Sequence, residues 1–457
     1  MSKPSLVAGT RDFSPADVAR RRYIFDTITR IYAQFGYLPI ETPTLEKMST
    51  LTGKYGNEGE QLIYKVLNSG DFLSKIKPEQ LTPDNSNNLS PLIAEKGLRY
   101  DLTVPFARYV VMNQNDLAFP FKRYQIQPVW RAERNQAGRY REFYQCDADA
   151  IGSDSLLYEA EILQMLDQVF NLLKLKVIIR LNNRKILDGL CQLAGAPDLF
   201  AQIVATIDKA DKIGQEAVLI ELKNMGLSEQ GLTAIQEIVF DKKYNLSELK
   251  AIFETANVEI GKKGVDELNA VLAFLRGYNF SNSLELDFSL ARGLSYYTGA
   301  IMEVVVDTSI DNQKSIKMGS ISGGGRYDNL TAVFGLPNMS GVGVSFGADR
   351  IFDVLLQLNL FPDSCLQTVK ALLVNFDEAT LQAAFELAGK LRAQNIAIDI
   401  YPKPAKLKKQ LEYAQKRNLP FVVICEAKEG VINYQLKNMQ TGTQESINLE
   451  NLIAALS

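Results

Sequence analysis

The chain has 457 residues, 46% of them apolar, with 50 Lys+Arg against 53 Asp+Glu for a net charge of −3. Such a length carries two or three cores rather than one, and the near-neutral balance excludes a globally basic nucleic-acid binder, so any RNA contact has to be local. The sequence holds no histidine, which excludes Ser/His/Asp and HExxH chemistry, and its four cysteines (Cys146, Cys191, Cys365, Cys425) form no CxxC pair, which argues against structural zinc or a disulfide framework.

The first 15 residues lack an apolar stretch of signal-peptide type, and no later run approaches the roughly 18 apolar residues of a membrane span. A soluble, cytoplasmic protein with no membrane contact is expected. Within residues 16–35, Ile24, Ile28, Ile31 and Phe35 recur at helical spacing, Ser14 and Pro15 supply a cap and a first-turn proline, and Gly36 closes the helix. Residues 76–90 are rich in Pro, Asn, Ser, Asp and Lys and read as a mobile surface loop. Residues 119–129 and 139–150 read as two long strands around a polar turn at 135–138, a large antiparallel hairpin.

From 184 to 278 the pattern is helical, with no glycine-rich turn or carboxylate cluster, and reads as a helical insertion. Residues 284–306 and 317–350 return to strands and glycine turns, and a helix follows at 348–358. Beyond Pro362, strands at 371–376, 396–401 and 421–426 alternate with helices at 378–394 and 405–417, the pattern of a small, mostly parallel α/β domain. The expected division is 1–183 and 279–362 for the two parts of one domain, 184–278 for its insertion, and 363–457 for the last domain.

Chemistry concentrates on the second strand of the hairpin. At period 2, Arg139, Arg141, Phe143, Gln145, Asp147 and Asp149 share one face, with cations at one end, an aromatic between and carboxylates at the other, over about 33 Å. That order suits a ligand with phosphates, a stackable base and a donor-rich group. Asp101 and Thr103, two apart on an expected extended segment, point the same way and can jointly hold an ammonium.

On these residues the chain resembles a known family. Arg131-x-Glu133, a turn, and Gly138-Arg139-Tyr140-Arg141-Glu142-Phe143 resemble motif 2 of class II aminoacyl-tRNA synthetases. The runs from Leu290 through Arg292, Ser295, Tyr296 and Tyr297 to Gly299, and Gly323-Gly324-Gly325-Arg326-Tyr327-Asp328, resemble the histidyl-tRNA synthetases among them, as do Leu98 to Pro105 and Tyr144 to Asp149. Motif 1 falls within residues 16–43 and motif 3 within 341–350.

The resemblance implies an α+β fold: an antiparallel-sheet catalytic domain with a helical insertion, then an α/β anticodon-binding domain, in a homodimer whose interface involves motif 1. It implies activation of L-histidine by ATP and transfer to tRNA(His), with Mg²⁺ accompanying ATP. Arg131 and Arg292 take the catalytic roles, both at the α-phosphate. Histidine falls to Asp101, Leu102, Thr103, Arg131, Gln145, Asp149, Arg292, Tyr296, Tyr297 and Tyr327, with Asp149 and Tyr297 on the imidazole nitrogens. ATP falls to Arg131, Glu133, Arg139, Phe143 and Arg350, with Phe143 stacking on adenine. Ser295 stands where the family usually has aspartate. Lys403, Lys406, Lys408 and Lys409 form a basic edge for RNA. A catalytically silent regulatory subunit of ATP phosphoribosyltransferase shares the family likeness, but commonly lacks the last domain and loses motif residues; Arg131, Arg139, Arg292 and Arg350 are all present here.

Overall fold

In the computed structural model, residues 3–53, 60–74, 76–82, 85–134, 138–291, 297–366, 369–428 and 431–457 are described. They divide into two compact units, residues 1–360 and 361–457.

The first unit is built on an eight-stranded sheet. Its strands, with the small strands between them, are β1 (Leu38–Pro39), β2 (Leu45–Lys47), β3 (Lys65–Val66), β4 (Lys96–Leu98), β5 (Phe121–Trp130), β6 (Glu142–Ile151), β7 (Val177–Asn183), β8 (Ser283–Leu286), β9 (Ala300–Val306), β10 (Ser322–Tyr327) and β11 (Gly341–Gly347). The order in the large sheet is β1-β5-β6-β11-β10-β9-β7-β8, while β2, β4 and β3 form a separate three-stranded sheet. Pairing in the large sheet is antiparallel except at its two edges, β1 with β5 and β7 with β8. The expected antiparallel-rich α+β class is therefore what the chain adopts.

Helix α1 (Pro15–Gln34) starts at a reciprocal capping box between Ser14 and Asp17 and buries Ile24, Ile28, Ile31 and Tyr32. The Tyr32 hydroxyl donates to the Cys146 carbonyl at 2.7 Å, and the Tyr32 ring packs 5.5 Å from Tyr124 and 6.1 Å from Phe346. Even-numbered positions of β6 thus face a helical layer, which leaves the odd-numbered face for the site. On a different part of the sheet, helix α2 (Thr103–Met112) places Phe106 4.3 Å beneath the Arg123 guanidinium. Here the expected extended segment is corrected: Thr103 opens a helix, because Val104, Phe106, Ala107 and Val110 bury one helical face and Asp101 Oδ1 accepts from Val104 N at 3.1 Å.

Helix α3 (Leu157–Leu172) packs its apolar face on the sheet, with Phe170 5.6 Å from Phe346. From α4 (Arg184–Leu193) to α5 (Glu259–Phe274) the chain is helical, and α6 (Ala348–Gln357) follows β11 directly. The expected loop at 76–90 is in part ordered, since Ser86–Ile93 is helical and ends at Ala94, whose N–H bonds to Ser90.

The second unit carries β12 (Ala371–Leu373), α7 (Glu378–Ala393), β13 (Ile398–Ile400), α8 (Leu407–Lys416), β14 (Phe421–Lys428), β15 (Val431–Asn438), β16 (Gln444–Ile447) and α9 (Leu449–Leu456). Its sheet order is β13-β12-β14-β15-β16, parallel among the first three and antiparallel among the last three. The mostly parallel expectation is thereby corrected to a mixed sheet. Tyr434 and Leu436 enter the core at alternate positions of β15 while Asn433 stays exposed, a half-buried signature weaker than that of the continuous apolar run Phe421 to Cys425.

Candidate active site

The β5–β6 hairpin, β11 and the first turn of α2 enclose a cleft with two connected compartments. The larger, about 310 Å³, is lined by residues that include Arg131, Glu133, Arg139, Tyr140, Phe143, Asp349 and Arg350. The smaller, about 70 Å³, is lined by residues that include Asp101, Thr103, Asp147, Asp149, Tyr297 and Tyr327. Arg131, Gln145, Gly323 and Ser345 line both. The cleft therefore has a larger half that holds three arginines and a smaller half that holds three carboxylates, and the two share Arg131.

In the larger half, Arg131 Nε donates to the Tyr100 carbonyl at 3.1 Å, and its guanidinium lies 4.3 Å from the Tyr100 ring and 5.1 Å from that of Phe143. Glu133 stands between two cations, 4.0 Å from Arg131 Nη1 and 3.4 Å from Arg139 Nη1. Arg350 Nε donates to the Gly138 carbonyl and its Nη1 to the Ser320 carbonyl, at 2.8 and 2.6 Å, so it ties the hairpin tip to the loop ahead of β10. Asp349 is buried beneath it, accepting from Arg11, Arg21 and the Tyr144 N–H at 2.6, 2.5 and 2.8 Å. Asp353 accepts from Arg11 and from the Tyr140 hydroxyl, whose pKa burial pushes up to about 12.

The graded face expected on residues 139–149 is shorter than its strand reading. Ladder pairing begins at Glu142, because the Arg141 N–H donates to the Gly9 carbonyl and the Arg141 side chain turns to the Glu133 carbonyl at 3.0 Å. Arg139 and Phe143 reach the cleft; Arg141 is not among its lining.

In the smaller half, antiparallel register sets Asp149 opposite both Arg123 and Gly343, and Asp147 opposite both Gln125 and Ser345. Arg123, with no exposed surface, meets Asp149 at 2.7 Å, and the Tyr327 hydroxyl donates to the other oxygen of Asp149 at 2.5 Å. A Cβ at Gly343 would fall 1.9 Å from Asp149 Oδ1, so only glycine leaves room for that carboxylate. Burial raises the pKa of Asp149 while Arg123 and Tyr327 lower it. In the GGGRYD run the strand alternates: Tyr327 faces Asp149, while Arg326 turns to Glu159 at 2.5 and 2.8 Å.

Asp101, Thr103, Gln145, Asp149, Tyr297 and Tyr327 are brought together in the small compartment, and Glu133, Arg139, Phe143 and Arg350 in the large one. Leu102 is fully buried and lines neither; its carbonyl receives Arg123 Nη2 at 3.4 Å. Arg292, Ser295 and Tyr296 lie outside the described residues. Sequence reasoning gave no role to Arg123, Gly343, Ser345 or Asp349. A signal for Arg123 existed: Arg123, Gln125 and Gln127 alternate along the partner strand and pair in register with Asp149, Asp147 and Gln145.

An antiparallel sheet whose long hairpin presents an arginine and a phenylalanine, beside a strand–helix arginine and an acidic recess, is the arrangement of a class II aminoacyl-tRNA synthetase. The histidyl-tRNA synthetase family model matches residues 94–351, and an anticodon-binding domain model matches residues 370–457. Histidine–tRNA ligases of Cytophaga hutchinsonii and Porphyromonas gingivalis are similar at 50% identity over all of both chains and at 51% over 98% of this chain and 97% of that one. A crystal structure of histidyl-tRNA synthetase from Nostoc sp. PCC 7120 is similar with a TM-score of 0.83 and 29% identity, covering 100% of this chain and 99% of that one. The chain belongs to the histidyl-tRNA synthetase family, and is by that membership an ATP-dependent aminoacyl-tRNA ligase.

Proposed function

We propose that the small compartment holds L-histidine, the large one holds ATP, and Arg131 joins the two reacting groups. The observation that carries this reading is that Arg131, Gln145, Gly323 and Ser345 line both compartments. Adenylate formation needs the amino-acid carboxylate and the α-phosphate at one point, and an arginine fork there neutralises both anions and holds them at attack distance. The carboxylate is already ionised near neutral pH, so no general base is needed and the lack of histidine costs the reaction nothing.

In this reading Phe143 stacks on adenine, Arg139 meets the β- and γ-phosphates, and Arg350 the γ-phosphate side, with Glu133 orienting Arg131 and Arg139. Asp101 and Thr103 jointly hold the α-ammonium, and Gln145 adds a neutral acceptor there. Tyr297 and the bonded pair Asp149–Tyr327 take the imidazole nitrogens, one donor and one acceptor, a pairing that rejects apolar analogues by roughly 10⁴-fold. Arg292 and Tyr296 join the histidine site on the family likeness. Arg292 stabilises charge growing on the α-phosphate; Arg292→Ala should lower the rate of adenylate formation far more than histidine affinity.

Among the described residues no group of three or more His, Cys, Asp or Glu side chains could hold a metal ion. Mg²⁺ suits a site with one or two carboxylates plus substrate phosphates; of the two carboxylates lining the large compartment Asp349 is bonded to Arg11, Arg21 and Tyr144, so Glu133 would hold the ion. It would neutralise phosphate charge. The exposed Lys403, Lys406, Lys408 and Lys409 in the second unit offer backbone contacts to tRNA(His). A homodimer through motif 1 and a cytoplasmic location complete the proposal, and the domain limits 184–278 and 363–457 belong to it. Among the described residues no helix is long and apolar enough to cross a membrane.

Histidine-dependent exchange of labelled pyrophosphate into ATP tests the site assignment. Exchange with histidine alone among the amino acids is expected; its absence would sink the assignment of the two compartments.

A further inference from the structure

Asp147 is the one carboxylate of the recess to which the proposed roles give nothing. It is 2% exposed, lines the small compartment, and its Oδ1 has no hydrogen-bond partner in the protein. A buried acceptor in that state costs free energy unless a ligand satisfies it. Its neighbour two residues back, Gln145, is in the same condition: Nε2 donates to Ser345 Oγ at 3.1 Å, while the buried Oε1 has no partner. Ser345 is also the register partner of Asp147 across β11 and β6. One serine therefore stands beside both side chains, and two acceptor atoms, Asp147 Oδ1 and Gln145 Oε1, are left on one face of β6.

Charge sharpens what that donor must be. Around the recess stand Asp101, Asp147 and Asp149 against Arg123 and Arg131, with Tyr297 and Tyr327 on the wall and Tyr32 and Cys146 behind β6. Three carboxylates thus face two guanidiniums among the described residues. Asp149 is ion-paired with Arg123 and hydrogen-bonded to Tyr327, whereas Asp147 has no ion-pair partner among the described residues and is pushed up to about 7, by burial first and by its acidic neighbours Asp149 and Asp101 as well.

We propose that Asp147 is a specificity residue of the amino-acid site, receiving an N–H of the substrate's α-ammonium through Oδ1 beside Gln145 Oε1. An ammonium has three donors and no acceptor, enough for the Asp101–Thr103 pair, Gln145 Oε1 and Asp147 Oδ1, and its positive charge suits a recess lined by three carboxylates. An imidazole N–H would supply one donor and no charge when neutral, and so would leave one of the two orphan acceptors unmade. This inference rests on the reading of the small compartment as the histidine site.

The full-length protein and Asp147→Asn are compared by calorimetric binding of L-histidine and of imidazole-4-propionate, which lacks only the α-ammonium, with ATP binding as the measure of an intact cleft. Asp147→Asn should weaken histidine by about 10- to 100-fold, the range of a charge-assisted hydrogen bond, and imidazole-4-propionate by less than about threefold, with ATP unchanged. Equal loss for both ligands, or loss for neither, overturns the proposal. If Asp147→Asn loses ATP binding, Asp147→Ser carries the same comparison, and loss of ATP binding there too assigns Asp147 to the framework and overturns it. Failure of the unmodified protein to bind histidine would instead refute the site reading beneath.

Discussion

Arg123 and Asp149 form an ion pair of 2.7 Å between adjacent strands, with side-chain exposures of 0% and 3%. Two charges so buried hold each other in place, and neither tolerates loss of the other. Arg123→Met should destabilise the protein by about 3 kcal/mol and raise the histidine KM, since Asp149 is left charged and unpaired or takes a proton. Arg123→Lys should recover part of both. Urea denaturation together with pyrophosphate exchange measures the pair; an unchanged KM in Arg123→Met would show that Asp149 keeps its orientation without Arg123.

Gly343 bears on the same carboxylate from the opposite side. Because an added Cβ would lie 1.9 Å from Asp149 Oδ1, Gly343→Ala has to displace Asp149 or shift β11 against β6. Histidine KM should rise at least about tenfold, the cost of one lost charged hydrogen bond, while ATP KM stays within about twofold. A matched rise in both would mean that the strands, not the side chain, had moved.

Phe143 faces the large compartment beside Arg131 and is the proposed platform for adenine. Stacking of a base on an aromatic ring contributes about 1–3 kcal/mol, so Phe143→Ala should raise the ATP KM by roughly 5- to 100-fold and Phe143→Tyr by much less. Steady-state exchange kinetics at saturating histidine separate the two. Histidine KM serves as the internal control and should stay nearly constant.

Asp147 carries a pH signature as well. Its pKa in the fold is raised to about 7 from an ordinary 3.8, chiefly by burial. A carboxyl with a raised folded pKa contributes stability that is fully present below the unfolded value and is lost as pH climbs toward the folded one. Between about pH 5.5 and 7 that loss is on the order of 2 kcal/mol, and it levels off above. Asp147→Asn lacks this term, so its stability relative to the unmodified protein should improve from about pH 5.5 to 8.5. Thermal denaturation at the two pH values checks it, and a constant difference would place the Asp147 pKa near its ordinary value.

The sequence by itself determined the class of fold and most of the cleft. Local signals suffice for a capped amphipathic helix such as α1 or a long alternating hairpin, because cap, proline and periodicity act within one segment. They also sufficed for the polar face of β6, since period 2 alone groups Phe143, Gln145, Asp147 and Asp149. Contiguous motifs extended this to Arg131, Glu133, Arg139, Tyr327 and Arg350, all of which line the cleft.

What only the tertiary structure decided is which of these side chains is already occupied. Pairing of β6 with β5 and β11 brings Arg123 and Gly343 to Asp149, and Ser345 to Asp147 and Gln145. These partners come from strands separated in the chain by intervening turns, helices or whole domains' worth of sequence, and no local pattern specifies their register. Two aspartates two residues apart on one strand look equivalent as sequence. In the fold, Asp149 has a cation and a hydroxyl while Asp147, among the described residues, has no ion-pair partner, because pairing and burial depend on neighbours across the sheet.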